Sequence, residues 1–207
     1  MSNRSFRVGA MLVVWALSAA PVAAQDGLYA PSVPDDAALV RVVNLQEGEE
    51  SPRFDVGRER FAPLPAGEVG AYRPVPPGIY ILGGAGGVEF SPEPGRFYSL
   101  VVSEGSAPTV VQDEAHTDPA RAQLVLYNVA DAPADLFAAP GDTMIFEKVP
   151  SGDSEAMAVN AIEVALSVRV GGEERLRREL QLERGESYGI FVGPRQVVIA
   201  PATVSSE

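Results

Sequence analysis

Apolar positions along the chain come in short runs separated by glycine and proline. The clearest are residues 38–45 (ALVRVVNL), 78–82 (GIYIL), 97–102 (FYSLVV), 122–129 (AQLVLYNV), 162–170 (IEVALSVRV), 187–192 (SYGIFV) and 196–199 (QVVI). They are rich in β-branched and aromatic residues, and turn formers bound them. Such runs predict strands, and their close spacing predicts a sandwich or barrel rather than alternating strands and helices. One stretch fits two periods. In residues 173–182 (EERLRRELQL), Leu176 and Leu180 stand at helical spacing with acid–base pairs around them. Leu176, Arg178, Leu180 and Leu182 also alternate, directly after the turn former Gly171-Gly172. The matching place in the first half, residues 88–90, lies between glycines and prolines, so a strand is expected.

The pattern repeats. Residues 38–45 resemble residues 122–129, each run carrying an asparagine near its end. Pro65-Ala66-Gly67-Glu68 resembles Pro150-Ser151-Gly152-Asp153. Gly83-Gly84-Ala85-Gly86-Gly87 is answered by Gly171-Gly172, and residues 93–102 by residues 183–192. The offset drifts from 84 to 90 residues, as small loop insertions would produce. Self-similarity at one period signals a repeated unit. The expected fold is therefore all-β, with two tandem small Ig-like β-sandwich domains at residues 37–112 and 120–207. Residues 113–119, polar and without period, read as the linker. Residues 25–36 read as an extended proline-bearing arm, a segment able to add as a strand to a partner's sheet.

The first residues read as an address. Arg4 and Arg7 precede an uncharged apolar run at residues 8–19, and Val22-Ala23-Ala24 offers small residues at a cleavage site before Gln25. That order predicts a signal peptide at residues 1–24, export to the periplasm, and a product that does not span the membrane after cleavage. The apolar run is shorter than the roughly 20 residues that a bilayer span needs.

Composition narrows the partners. The chain has 16 basic and 28 acidic residues, a formal net charge of −12, which loss of Arg4 and Arg7 would make more negative. Such a surface disfavours nucleic acid, anionic lipid and unaided tight binding of a polyanionic polysaccharide. There is no cysteine, which removes thiol nucleophiles and thiolate metal sites.

Candidate chemistry is sparse. His116 is the one histidine, so a base-assisted serine mechanism must use it. Asp113-Glu114-Ala115-His116 spells D-x-x-H and Gly152-Asp153-Ser154 spells G-D-S. Both imitate motifs of SGNH-type hydrolases, but in reversed order and without the βαβ alternation that those enzymes use. A polar linker and a polar turn are the plainer reading, because a triad needs geometry as well as letters. Gly83–Gly87 opens no helix and lacks a Lys-Ser/Thr pair, so a hairpin turn is expected there instead of a phosphate loop. Asp35-Asp36, Asp113-Glu114 and Glu173-Glu174 are adjacent acids whose side chains would point to opposite faces of a strand. They read as solvated surface rather than metal ligands. For sugar stacking, Tyr80, Tyr98, Tyr127 and Tyr188 fall in strand runs and read as core. Tyr29, Phe61 and Tyr72 are the aromatics expected to be exposed. No catalytic, cofactor or metal residues are assigned.

Residues 28–34 (LYAPSVP) followed by the first strand, and Pro76-Pro77-Gly78-Ile79-Tyr80 followed by residues 95–101 (GRFYSLV), are similar to the alginate biosynthesis protein AlgF family. So are residues 122–128 (AQLVLYN) and 182–186 (LERGE). The resemblance implies a periplasmic protein needed for O-acetylation of the mannuronate residues of alginate during exopolysaccharide biosynthesis. Its implied partners are a membrane-bound O-acyltransferase and SGNH-like periplasmic acetyltransferase components, with alginate as a further candidate. It carries over no catalytic residue. The expectation is an accessory adaptor. A carbohydrate-binding module, and a serine O-acetyltransferase or esterase using Ser154 and His116, are the alternatives.

Overall fold

Two strands from each half are buried on both faces, and they organise the molecule. In the computed structural model, which describes residues 34, 36–83, 87–104, 107–139 and 141–205, β1 (Ala38–Asn44) lies parallel to β7 (Phe97–Val102). Likewise β9 (Ala122–Asn128) lies parallel to β15 (Ser187–Val192). Near-continuous apolar sequence is what a strand covered on both faces requires. The described residues belong to one compact unit, Pro31–Glu207. The expected leader, and all of the expected arm except Pro34 and Asp36, lie outside the described residues.

Each parallel pair sits at the centre of a four-stranded sheet. In the first, β4 (Arg73–Val75) flanks β1 and β8 (Thr109–Asp113) flanks β7. In the second, β12 (Ser154–Val159) flanks β9 and β16 (Val197–Pro201) flanks β15. Opposite the first sheet lie two hairpins, β2–β3 (Phe54–Val56, Glu59–Phe61) and β5–β6 (Tyr80–Leu82, Val88–Phe90). Opposite the second lies a sheet in the order β11-β10-β13-β14, made of Thr143–Val149, Ala134–Ala139, Glu163–Val170 and Glu173–Gln181. The all-β expectation holds, and residues 173–181 form a strand. Leu176 and Leu180 are the positions of β14 that pack on the core, so period two prevails over period 3.6.

The alternation of side chains divides each central strand between two cores. Val40, Val42, Leu100 and Val102 face the hairpins of the first half. Leu124, Leu126, Ile190 and Val192 face the second half's other sheet. The intervening residues Val43, Val101, Val125, Tyr127 and Phe191, with Leu45 just beyond β1, form a third apolar cluster. That cluster joins the two halves, so the four-stranded sheets stack face to face.

The sequence repeat has counterparts in hydrogen bonding. The Asn44 amide donates to the carbonyls of Glu49 and Leu64, and its Oδ1 accepts from the Gln46 N–H. Asn128 does the same with Ala132, Val149 and Ala130. Backbone bonds then tie Asn44 to the turn at Gly67-Glu68 and Asn128 to the turn at Gly152-Asp153. Gly67 and Gly152 hold φ of 76° and 87°, left-handed values that favour glycine. The hydroxyls of Tyr98 and Tyr188 each accept a backbone N–H from five residues upstream, Glu93 and Glu183.

The end of the second half reaches back to the first. Tyr72 forms a parallel bridge with Val204; its N–H donates to the Thr203 carbonyl and its own carbonyl accepts from Ser205. At the far end of the seam, Arg195 pairs with Glu47 and Glu104, and the Gln196 amide donates to the Gln46 carbonyl.

Candidate functional site

The face of β1 and β7 that meets the second half carries polar residues where pure apolar packing would be expected. Arg41 is only 2% exposed. Its Nε donates to Ser99 Oγ at 2.8 Å, and Ser99 donates in turn to Asp113 Oδ2 at 2.8 Å. The Tyr72 hydroxyl donates to the same Oδ2 at 2.5 Å, and Arg41 Nη2 stands 3.8 Å from it. The guanidinium lies 4.4 Å from the Tyr72 ring centroid and 5.0 Å from that of Phe191. Phe191 stacks on Tyr127 with centroids 4.6 Å apart. Burial pushes the phenols of both Tyr72 and Tyr127 well above their usual range, and the Asp113 charge adds to the shift, so both stay protonated.

The repeat explains how a cation fits in this seam. Gly189 occupies the place in β15 that Ser99 occupies in β7. A Cβ on Gly189 would lie 2.7 Å from the Phe191 ring and 3.4 Å from Arg41 Nη2. Ser99 binds Arg41 from one side, and the bare backbone of Gly189 makes room on the other. A buried pair of this kind offsets its desolvation cost only when the lone pairs and protons around it are satisfied. Ser99 and Tyr72 supply those bonds for Oδ2.

Two cavities flank the chain where it leaves β8. One, of about 300 Å³, lies between Gln112–Ala115 and the second half's Val125, Ser154 and Ala156. The other, of about 200 Å³, lies between Asp113–His116 and a wall that includes Tyr127, Glu186 and Ser187. Phe97, Asp113, Glu114 and Ala115 line both.

The candidate catalytic residues fall on opposite sides of this divide. Ser154 is exposed at the start of β12 and opens to the first cavity. His116 opens to the second, and its Nε2 lies 3.0 Å from the Arg121 carbonyl oxygen. A contact with a carbonyl requires that nitrogen to carry a proton, so it is engaged as a donor and not as a base. Among the described residues no hydrogen bond joins His116 to Ser154 or to Asp113. The acid of the D-x-x-H motif is turned inward to Arg41, Ser99 and Tyr72. Among the described residues, no group of three or more His, Asp or Glu is placed to hold a metal ion.

Several expectations are corrected. Asp113 is not solvated surface: it ends β8 and is 6% exposed, because Arg41 provides a partner that adjacent-acid patterning does not reveal. Phe61 and Tyr72, expected to be exposed, are 5% and 4% exposed. Phe61 belongs to the first half's core, and Tyr72 is covered by the returning residues 203–205. Tyr29 lies outside the described residues. Of the strand tyrosines expected in the core, Tyr98, Tyr127 and Tyr188 are buried, whereas Tyr80 is half-buried against the first half's core. Gly83–Gly87 does join two paired strands, β5 and β6. The seam cluster itself was missed. Its one signal was Arg41, a charge in an otherwise apolar strand.

A family model described as alginate O-acetyl transferase AlgF matches residues 10–189. The chain belongs to the AlgF family. Curated AlgF-family relatives named alginate biosynthesis protein AlgF include one from Azotobacter vinelandii, 25% identical over 80% of this chain and 76% of the relative. One from Pseudomonas putida KT2440 is 23% identical over 88% and 85%. One from Pseudomonas aeruginosa PAO1 is 24% identical over 96% and 92%. A solved structure of the C-terminal domain of AlgF from P. aeruginosa, 22% identical, aligns with 40% of this chain and 93% of that one at a TM-score of 0.34. The residues matched by the family model, 10–189, run through the first half and most of the second.

Proposed function

We propose that the protein is a non-catalytic accessory component of the periplasmic system that O-acetylates alginate. It bridges a membrane-bound O-acyltransferase and SGNH-like periplasmic acetyltransferase components. The observation that carries the reading is the family match over residues 10–189, whose description and relatives name alginate acetylation and alginate biosynthesis. The accessory role, rather than the transferase chemistry in the family's description, is supported by the placement of Ser154 and His116. The serine has no base beside it, and the histidine is engaged with a carbonyl. Acyl transfer through a serine requires nucleophile and base within hydrogen-bond reach. Two halves that share an apolar cluster instead give one compact unit with several separate surfaces, which suits a bridge.

The test is polymer chemistry. Cells that lose this gene should export alginate of unchanged sugar composition whose mannuronate lacks acetyl esters, measured by NMR of the purified polymer. Full acetylation without the gene would end the proposal.

A further inference from the structure

We infer that residues 203–205 form a strap that opens as a unit of its own, ahead of either sandwich, and in opening uncovers the edge of the first sheet at Tyr72.

The backbone shows where such a strap would hinge. β16 ends at Pro201, and the Ala202 N–H still donates to the Ser187 carbonyl of its own half. The chain then crosses the seam. Tyr72 donates its N–H to the Thr203 carbonyl, and its own carbonyl accepts from the Ser205 N–H, both at 2.8 Å. Among the described residues these are the backbone-to-backbone bonds between the halves, and one residue of the first half takes both. The pairing cannot lengthen along β4, because Pro74 has no N–H to give.

Side chains add little grip. Thr203 is exposed, and Val204 is 51% exposed and belongs to none of the three apolar clusters. Ile199, still within β16, is by contrast buried in the second half's core. Few buried apolar contacts, together with hydrogen bonds at a sheet edge, mark a segment that opens while the rest stays folded.

The residue under the strap gives its opening a consequence. Tyr72 holds the buried ion pair: its hydroxyl donates to Asp113, its ring lies beside the Arg41 guanidinium, and it meets Phe97 edge-on at 5.2 Å. The strap also walls a cavity on each face of the first sheet. Ala202 and Val204 line the one of about 200 Å³ at the seam. Ser205 lines another, of about 210 Å³, with Phe61 and Leu64 on the side of the hairpins. Opening therefore widens both cavities and frees the N–H and C=O of Tyr72 together, while the phenol stays tied to Asp113 inside. The strap is a gate on the seam, and the two sandwiches remain docked through their shared apolar cluster when it opens.

The test is native-state hydrogen exchange of the full chain, read by NMR in rising, sub-denaturing urea. The two bridge donors, the amides of Tyr72 and Ser205, should exchange at least ~100-fold faster than those of β1 and β9 after correction for intrinsic rates, as a local opening implies. Their exchange should also be nearly independent of urea, because little surface is exposed. Ser205→Pro removes one donor. It should speed exchange at Tyr72 by about 10-fold, the worth of one backbone hydrogen bond, and leave β1 and β9 unchanged. Val204→Gly, which deletes neither bond, should loosen the same two amides and no others. Exchange of Tyr72 and Ser205 at the level and urea slope of the core strands would overturn the inference. So would a Ser205→Pro or Val204→Gly variant that lowers protection in β1 and β9 along with Tyr72, since the segment would then belong to the cooperative core.

Discussion

At the residue scale, the most consequential side chains are Arg41 and Asp113. They are charged, buried, and drawn from strands far apart in sequence. Asp113→Ala would leave the guanidinium in an apolar seam without its counterion, at a cost of about 3–5 kcal/mol. Adding Arg41→Met should recover part of that loss, because the orphaned charge goes with it; denaturant titration of the two variants measures the difference. A second residue prediction concerns Glu174. Hydrogen bonds from Arg177 and then Ser167 hold its carboxyl down at about 2. A depressed carboxylate favours the folded state above its unfolded pKa and loses that contribution as pH falls toward its folded one. NMR titration should therefore place Glu174 near 2, and Arg177→Gln should move it up toward the ordinary range. Little of this was legible in the sequence. Asp113 sits in a polar stretch next to Glu114 and reads as surface until a tertiary partner is known. Tyr72 likewise reads as exposed, because the residues that cover it lie at the opposite end of the chain.

At the element scale, much more was legible. The strand runs follow from short β-branched segments between turn formers, and even the ambiguous residues 173–181 resolve by their alternation. Both asparagines at the ends of β1 and β9 were visible as a repeated letter, but their task was not. Each ties its strand to two loops through three hydrogen bonds, so the letter is fixed by geometry. Asn128→Ala would leave the Ala132 and Val149 carbonyls and the Ala130 N–H without their partner. At about 1–3 kcal/mol for each unsatisfied buried group, tempered by local relaxation, the variant should lose about 3–5 kcal/mol. Asn44→Ala should behave alike. A loss below about 1 kcal/mol, within what one marginal hydrogen bond contributes, would show that the loops are held by other means.

At the scale of the whole molecule, the two halves share a strand order, a pair of parallel central strands and a set of capping bonds, yet their facing surfaces differ. Arg41 in β1 stands where β9 has Val125, and Ser99 in β7 stands where β15 has Gly189. This asymmetry puts the buried charges on the first half's side of the seam and sets the cavities beside Asp113 between unlike walls. The stacking was hidden from the sequence because period-two alternation says that a strand has two faces, not what covers each. The near-continuous apolar runs in β1 and β9 were the available hint, since a sandwich exposed on one side would alternate more cleanly.

The proposed role is service to alginate acetylation without acyl transfer by this chain. Its most direct measurement is the acetyl-ester content of alginate from cells lacking the native gene and carrying either the wild-type chain or S154A/H116A. Equal acetylation from the two is expected, at equal protein level. Acetylation restored by the wild type but lost with folded S154A/H116A would contradict it.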